Sequence, residues 1–317
     1  MRNVFCKSLV AASGIEKFVF LTGDLGYNAL EPLKDALGAR FLNVGVAEQN
    51  MIGVSAGLAR QGLRPWVYSI APFAYARPFE QIRNDICLHR LPIVIVGNGG
   101  GFGYGVMGGT HHAIEDYGSL LCLQHIRAYI PAFDKDVEEL VRHLFAVDHP
   151  AYLRLGLAEA PPGAIVPPYA PWRKLMDGLN GMLAVVGPLV GGIWSHALTL
   201  SESERPSIWL VSELPITTTP PKEFISDVAR CKRLLVVEEH VAHGGFGQML
   251  ASWFLEHGIV PLQFGVSAAQ GYVSGRYGSQ KFHRQECGLD PLSIMMRLTR
   301  MDQHTDVSPK PSALSSI

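Results

Sequence analysis

An acidic residue lies at the junction of two segments in the first fifth of the chain. Glu48 follows the apolar run 41–46 and opens a segment of small residues that continues to Arg60. In apolar surroundings a carboxylate either faces solvent, where a helix N-terminus favours it, or is buried with a partner. A buried carboxylate has a raised pKa and can hold or share a proton. Glu48 is therefore a candidate for proton chemistry, with a solvent-facing helix start as the alternative.

A glycine-rich stretch followed by two histidines is the second place where the residue types could do chemistry. Residues 98–109 read NGGGFGYGVMGG and lead into Thr110, His111 and His112. The stretch contains neither GxxxxGK[ST] nor a GxGxxG that opens a helix, so alone it indicates a flexible loop as readily as a phosphate site. Adjacent histidines project differently and make a poor chelating pair, and the sequence predicts no metal site in this chain.

Alternating strand-like and helix-like segments must position these residues. Short strands are predicted over 18–22, 41–46, 64–70 and 91–97, with helices between them, one of which begins near Glu48. The last of these runs, LPIVIVG, is apolar throughout, as in a parallel strand that is covered on both faces. The pattern predicts the α/β class, with two doubly wound domains, each a mostly parallel sheet flanked by helices.

Proline content divides the chain into parts. Five prolines within residues 158–173 predict an extended linker between a first domain, 1–157, and a second domain, 174–300. The final strand of the second domain is predicted over 259–264. Residues 301–317, rich in Ser and Pro, are predicted to form a disordered tail.

Composition and charge argue against several classes of partner. The 317 residues carry a formal net charge of −1 and the pI is about 6.9, which indicates no basic face for nucleic acid. No run of about 18 apolar residues occurs, so no membrane span is predicted. The five cysteines are scattered without a CxxC pair or metal-ligand spacing, which fits reduced thiols in the cytoplasm.

The residues around Glu48 resemble a known family motif. Residues 44–51 read VGVAEQNM and are followed by AGLA at 56–59, which is similar to the pyrimidine-binding domain of the transketolase-like thiamine diphosphate enzymes. The resemblance implies thiamine diphosphate as the cofactor, and it makes Glu48 the acid that hydrogen-bonds the aminopyrimidine ring and activates the cofactor for carbanion chemistry. Gly109-Thr110-His111 resembles the Pro-Thr-His of the family. It implies that His111 hydrogen-bonds substrate or moves a proton, since histidine titrates near neutrality.

The resemblance also implies further contacts to the cofactor. The family places an aromatic residue against the pyrimidine within the segment 69–83, and Phe73 or Tyr75 takes that role through a one-residue shift, with Phe73 preferred. Ordinary core packing is the alternative for each of them. Asp24 is expected to support the cofactor pocket.

The family's diphosphate motif is missing from the sequence. Gly23-Asp24-Leu25 is not the GDG motif, because leucine replaces the last glycine, and GDG occurs nowhere else in the chain. The resemblance therefore implies a split enzyme, in which a separate amino-terminal subunit carries the GDG motif and mainly holds the diphosphate and Mg²⁺. The family uses its carboxy-terminal domain for dimer contacts, so homodimerisation within an α2β2 heterotetramer is expected.

The residues expected to contact substrate depart from the family pattern. Arg2 matches an arginine that contacts sugar phosphates, whereas Asn28 occupies the position of a phosphate-contacting serine. Met107 stands where transketolases read a sugar hydroxyl with Asp, and Leu157 stands where an arginine would offer its fork to phosphate. The departures disfavour an ordinary pentose phosphate and leave open a modified sugar, a smaller ketone donor or a specialised acceptor.

Three functions compete at this point. The first is a split transketolase subunit, active only with its partner, that transfers a two-carbon ketol unit from a small-molecule ketose to an aldehyde. The second is the beta subunit of a 2-oxo-acid decarboxylating or acyloin-forming enzyme. The third is a non-catalytic scaffold subunit, which the departures at Met107 and Leu157 allow but the retention of Glu48 and His111 opposes.

Overall fold

The computed structural model describes residues 1–26, 28–156 and 160–301. The strands, in chain order, are β1 (Phe18–Thr22), β2 (Phe41–Asn43), β3 (Arg64–Ile70), β4 (Val94–Asn98), β5 (Arg127–Tyr129), β6 (Ala151–Leu155), β7 (Trp172–Met176), β8 (Met182–Val186), β9 (Ser207–Val211), β10 (Glu213–Leu214), β11 (Arg233–Val241) and β12 (Gln263–Ala269). Leu157 and most of the predicted tail, 302–317, lie outside the described residues.

Helices separate most of these strands. They are α1 (Arg2–Ala11), α2 (Glu31–Leu37), α3 (Glu48–Arg60), α4 (Ala71–Tyr75), α5 (Phe79–Gln81), α6 (Asp116–Leu120), α7 (Asp134–Leu144), α8 (Val190–Leu198), α9 (Lys222–Cys231), α10 (Phe246–Glu256), α11 (Gln280–Glu286) and α12 (Pro291–Arg300). A π-helical turn, Ile82–Cys87, continues α5. Within the described ranges no helix has the length and apolar character that a membrane crossing requires.

Seven strands form the first sheet, in the spatial order β10-β5-β6-β4-β3-β1-β2. All neighbouring strands are parallel except β10 and β5. Alternate residues of β1 face opposite sides, so Val19 and Leu21 join one hydrophobic cluster while Phe18 and Phe20 join another. Both faces are therefore buried, which explains the continuous apolar runs and confirms the predicted α/β class.

Five strands form the second sheet, in the order β12-β11-β8-β9-β7. The neighbours are parallel except for β7, which is antiparallel to β9. Trp172, the first residue of β7, is buried and pairs with Val211. The sheet thus begins within residues 158–173, the range that its prolines predicted as a linker.

The last strand lies further along the chain than its sequence indicates. β12 spans Gln263–Ala269, and the prediction of a strand over 259–264 is wrong. Gly258 takes a φ of 66°, and the amide of Ile259 donates to the carbonyl of Phe254 at 2.8 Å. This turn keeps the first apolar residues after α10 at the helix end, and they do not enter the sheet.

A buried polar network joins the two sheets. Arg154 in β6 is 4% exposed, and its Nε donates to Oδ2 of the fully buried Asp116 at 2.7 Å. Its Nη2 donates to the carbonyls of Ala113 and Glu239, each at 2.9 Å. The hydroxyl of Tyr152 also donates to Asp116 Oδ2, at 2.7 Å. The guanidinium therefore connects β6 to β11, and neither charged partner can reach water if the other is removed.

A two-residue strand from the second half of the chain completes the first sheet. β10 pairs antiparallel with β5, and the amide of Ile130 donates to the carbonyl of Ser212 at 2.8 Å. Leu214 in this strand is buried. Strand β5 consequently has a neighbour on both sides, although β10 comes from the part of the chain that builds the second sheet.

His240, in strand β11, is held as a neutral ring by its hydrogen bonds. Its Nε2 accepts a hydrogen bond from the amide of Gly118 at 3.1 Å, and its Nδ1 lies 2.7 Å from the carbonyl oxygen of Val241. The ring stacks on Tyr117 with 3.9 Å between centroids. A ring that accepts at one nitrogen and donates at the other is neutral. Burial lowers the pKa of His240, because it penalises the charged form.

Acidification is expected to destabilise the protein through this group. The unfolded chain takes up the proton near the ordinary histidine pKa of about 6.5, whereas folded His240 resists it. The free energy of unfolding should therefore fall as the pH drops from that value through the lower pKa of the folded state. Urea unfolding at about pH 7.5 and about pH 5.5 measures the change, which should be smaller in His240→Gln.

Two other histidines should contribute to the same pH dependence of the free energy of unfolding. Burial also lowers the pKa of His112 and of His149, so part of the effect should persist in the variant. An identical pH dependence in His240→Gln and the unaltered chain would contradict a contribution from His240.

Candidate active site

The candidate site lies at the carboxyl edge of the first sheet. Thr22 ends β1 immediately before Gly23, Ser69 is near the end of β3, and Asn98 ends β4. Glu48 begins the helix that follows β2. Parallel strands end at a common edge, and open α/β sheets bind their ligands there.

Glu48 is buried at the start of α3, with 3% of its side chain exposed. Its Oε1 lies 3.3 Å from the hydroxyl of Ser69, which donates to it. Nη1 of Arg77 donates to both carboxylate oxygens, each at 2.9 Å. Of the two interpretations of this acid, the structure shows the buried carboxylate with a partner. The N-terminal position on α3 adds favourable N–H dipoles to that environment.

Arg77 connects Glu48 to an aromatic ring. Its Cζ lies 3.8 Å from the centroid of the Phe73 ring, a cation–π distance. Sequence reasoning missed Arg77. The signal was the spacing, because Phe73 and Arg77 stand four residues apart in a segment that forms a helical turn, where such side chains meet.

His111 packs against the same Phe73 ring. The two rings are 5.2 Å apart between centroids in an edge-on arrangement. Thr110 Oγ1 lies 2.9 Å from His111 Nδ1. His111 Nε2 has no hydrogen-bond partner within the described ranges, so it can serve a ligand. The backbone that carries it turns at Gly108, whose φ of 72° favours glycine.

A cleft of about 420 Å³ has Arg2 and Tyr104 in its lining. Tyr104 connects this cleft to His111. The Asn98 side-chain amide donates to the Tyr104 hydroxyl at 2.8 Å, and the Tyr104 ring lies 5.9 Å from that of His111. Burial raises the pKa of Tyr104, against the opposing effects of the Asn98 hydrogen bond and the Arg2 charge. The tyrosine is therefore a neutral hydroxyl donor that borders both the cleft and His111.

Three other predicted site residues, Tyr75, Met107 and Asn28, have different surroundings. Tyr75 is buried in the core, and burial raises its pKa together with the charges of Asp116 and Glu115. Met107 is exposed, and the amide of the exposed Asn28 donates to Glu31 Oε1 at 2.8 Å.

Asp24 lies in the turn after β1, next to the residue that approaches Glu48. Asn43 Nδ2 donates to Asp24 Oδ1 at 2.8 Å, and the Asp24 amide donates to Asn43 Oδ1 at 3.1 Å. The preceding residue, Gly23, does approach the carboxylate, since a Cβ placed there would lie 3.8 Å from Glu48 Oε1. Asp24 thus shapes the turn that brings the backbone of β1 to the site.

The arrangement offers a carboxylate and an aromatic face to one ligand. Glu48 accepts N–H donors, and Phe73 presents its ring to a flat group. The guanidinium of Arg77, which is flat and rich in N–H groups, contacts both the carboxylate and the aromatic ring. The aminopyrimidine ring of thiamine diphosphate has the same two properties, so the residues fit it. Within the described part of the chain, no three His, Cys, Asp or Glu side chains are grouped to hold a metal ion.

Comparisons with known sequences find transketolases and related enzymes. Residues 12–161 match the sequence family described as transketolase, pyrimidine binding domain. An apulose-4-phosphate transketolase subunit of Actinobacillus succinogenes is 26% identical over 310 residues, which cover 93% of this chain and 96% of that protein. 1-Deoxy-D-xylulose-5-phosphate synthase of Heliobacterium modesticaldum is 29% identical over 274 residues, which cover 84% of this chain and 41% of that enzyme.

A solved structure extends the similarity to nearly the whole chain. It is described as a split gene transketolase, inactive beta4 tetramer, and it superposes with a TM-score of 0.78 at 25% identity over 95% of this chain and 97% of the other. The matched family segment contains Glu48, Phe73 and His111. Residues 12–161 therefore belong to the transketolase pyrimidine-binding family, as the motif around Glu48 predicted, and nearly the whole chain has the fold of the split gene transketolase chain.

Proposed function

We propose that this chain is one subunit of a split transketolase, a transferase that moves a two-carbon ketol unit from a ketose to an aldehyde. The observation that carries the proposal is the grouping of the buried Glu48 with Phe73 and His111 at one sheet edge. Membership of the family and the subunit-length relatives support it.

Thiamine diphosphate is the proposed cofactor, with Glu48, Phe73 and Asp24 as its contacts in this chain. Once bound, it supplies a carbon nucleophile and accepts the electron pair released from the substrate. Glu48 would hold the ring through a hydrogen bond that its burial strengthens. Phe73 would fix the tilt of the ring by packing on it, and Asp24 would maintain the turn beside them.

His111 is the proposed substrate contact and proton carrier. Its Nδ1 is paired with Thr110, which leaves Nε2 to a substrate hydroxyl or carbonyl oxygen. An imidazole nitrogen can donate or accept a hydrogen bond, so one side chain can serve both directions of transfer. Tyr104 and Arg2 would contact the distal part of the substrate, because both line the adjoining cleft.

A separate amino-terminal subunit with a GDG motif is proposed to hold the diphosphate and Mg²⁺. Two copies of each chain would form an α2β2 heterotetramer, with the site between unlike subunits. The cytoplasm is the proposed compartment, since all five cysteines are free thiols.

Calorimetric titration of thiamine diphosphate with Mg²⁺ tests this proposal. The chain is titrated alone and then mixed with its candidate amino-terminal partner. We expect tight binding and ketol transfer from the mixture only. Tight binding by the chain alone would contradict a shared site, and a mixture that assembles without binding the cofactor would contradict the proposed function.

A decarboxylating enzyme is the second candidate. The 29% identity to 1-deoxy-D-xylulose-5-phosphate synthase favours it. Release of carbon dioxide from a 2-oxo acid such as pyruvate distinguishes the two, because ketol transfer from a ketose releases none. Gas release by the assembled enzyme without transfer from any ketose would establish this alternative.

Replacing Arg2 with methionine is expected to weaken binding of an aldehyde that carries an anion at its far end. Arg2 is exposed at the rim of the cleft, so we expect roughly a tenfold rise in KM, at the low end for a charge-assisted hydrogen bond. The KM of an uncharged aldehyde of equal length should stay the same. Lys7→Met removes a charge from the same helix outside the cleft and is the control. Equal KM changes for both aldehydes would contradict an anionic substrate.

A further inference from the structure

The guanidinium of Arg77 occupies both of the contacts that this site offers to a ligand. Its Nη1 donates to the two oxygens of Glu48, and its guanidinium lies against the ring of Phe73. Among the described residues Glu48 is its only hydrogen-bond partner. The guanidinium is planar and delocalised, and it stacks on aromatic faces as a heterocyclic ring does.

We propose that Arg77 controls access of the cofactor ring to the site. Its guanidinium occupies the place between Glu48 and Phe73 in the chain without cofactor, and it must swing out before the aminopyrimidine ring can bind. This inference rests on the proposed function, because it takes thiamine diphosphate as the ligand. The two flat groups need the same carboxylate and the same aromatic face, so they exclude each other.

The exposure of the pair decides which partner moves. The Arg77 side chain is 44% exposed, whereas Glu48 is buried. Water can replace Glu48 around a guanidinium that swings outward on its long stem. Glu48 cannot follow, because it sits in the first turn of α3 and accepts a hydrogen bond from Ser69. The carboxylate therefore stays in place while the guanidinium leaves.

The closed pair has a consequence for affinity. A ligand that binds only the open form has its affinity reduced by the fraction of molecules that are open. If about nine molecules in ten are closed, the cofactor binds roughly tenfold more weakly than it would to a permanently open site. The pair also keeps Glu48 from being a buried charge without a partner before the cofactor arrives.

Calorimetry on the assembled enzyme tests the inference. The Kd for thiamine diphosphate is measured at saturating Mg²⁺ for the unaltered enzyme, for Arg77→Ala and for Arg77→Gln. We expect both variants to bind roughly fivefold to tenfold more tightly, since neither can form the bidentate ion pair. Arg83→Ala removes the same charge from the exposed surface of the next helical turn and should leave Kd unchanged.

A crystal structure of the assembled enzyme with thiamine diphosphate gives a second readout. Arg77 should then lie away from Glu48, with the ring in its place. Weaker or equal binding in both Arg77 variants, while the unaltered enzyme binds the cofactor, overturns this inference alone. A guanidinium still paired with Glu48 in the loaded enzyme does the same. If the unaltered assembly binds no cofactor, the proposed function fails and this inference fails with it.

Discussion

Turnover of the assembled enzyme is expected to fall about a thousandfold when Glu48 is replaced with alanine, in the middle of the range for a positioned proton-transfer group. The buried carboxylate lies against Ser69 and Arg77, where a bound ring would find its acceptor. Glu48→Gln should lose nearly as much, because the amide keeps the shape of the side chain but cannot take up a proton. The measurement is kcat for ketol transfer at saturating thiamine diphosphate.

Loss of fold would not explain this result. Arg77 is partly exposed and regains water when its partner is removed, so circular dichroism and the thermal midpoint should change little. Glu80→Ala is the matched control, since it removes an exposed acid from the nearby helix α5. Glu48 would be excluded from the chemistry if either substitution left kcat at the level of the Glu80 control.

Replacing Arg154 with alanine is expected to destabilise the protein by about 3–5 kcal/mol, the usual cost of removing one partner from a buried ion pair. Asp116 would be left with its charge and without water, and the carbonyls of Ala113 and Glu239 would each lose one hydrogen bond. One oxygen of Asp116, Oδ1, already lacks a hydrogen-bond partner among the described residues, which leaves the site little means of compensation. Urea unfolding measures the free-energy difference.

An exposed ion pair provides the comparison. Arg90 and Asp148 lie 3.1 Å apart with side chains 56% and 76% exposed. Arg90→Ala should cost no more than about 1 kcal/mol, as is usual for pairs in water. If Arg154→Ala costs as little as Arg90→Ala, the buried network does not stabilise the contact between the sheets.

Local patterns predicted most of the first sheet. The bounds of β1 and β3 agree with the sequence because their residues are apolar on both faces, and Glu48 opens α3 at the position that the motif predicted. The position of Glu48 could be predicted because a strand, a tight turn and a helix of small residues follow one another without interruption. The ion pair of its buried carboxylate could not be predicted, because the spacing that relates Arg77 to Phe73 does not relate Arg77 to Glu48.

Features set by contacts between distant residues could not be predicted. Strand β12 lies at the edge of the described second sheet, next to β11, and its start is fixed by pairing of Gln263 with Arg233. Its local apolar pattern is weaker than that of the preceding turn, so the prediction shifted towards Ile259. Tyr75 was the alternative to Phe73 in sequence, and the helical turn directs the two side chains to different environments.

The pairing of β10 with β5 affects where the chain could be truncated. A fragment ending near residue 157 would contain the whole matched family segment except its last few residues, yet it would lack Glu213 and Leu214. Strand β5 would then present unpaired backbone groups, a template for pairing with another molecule. Such a fragment is expected to self-associate, and a graft of this half onto another protein would need a substitute strand. Gene fusions should therefore keep the segment through β10 intact.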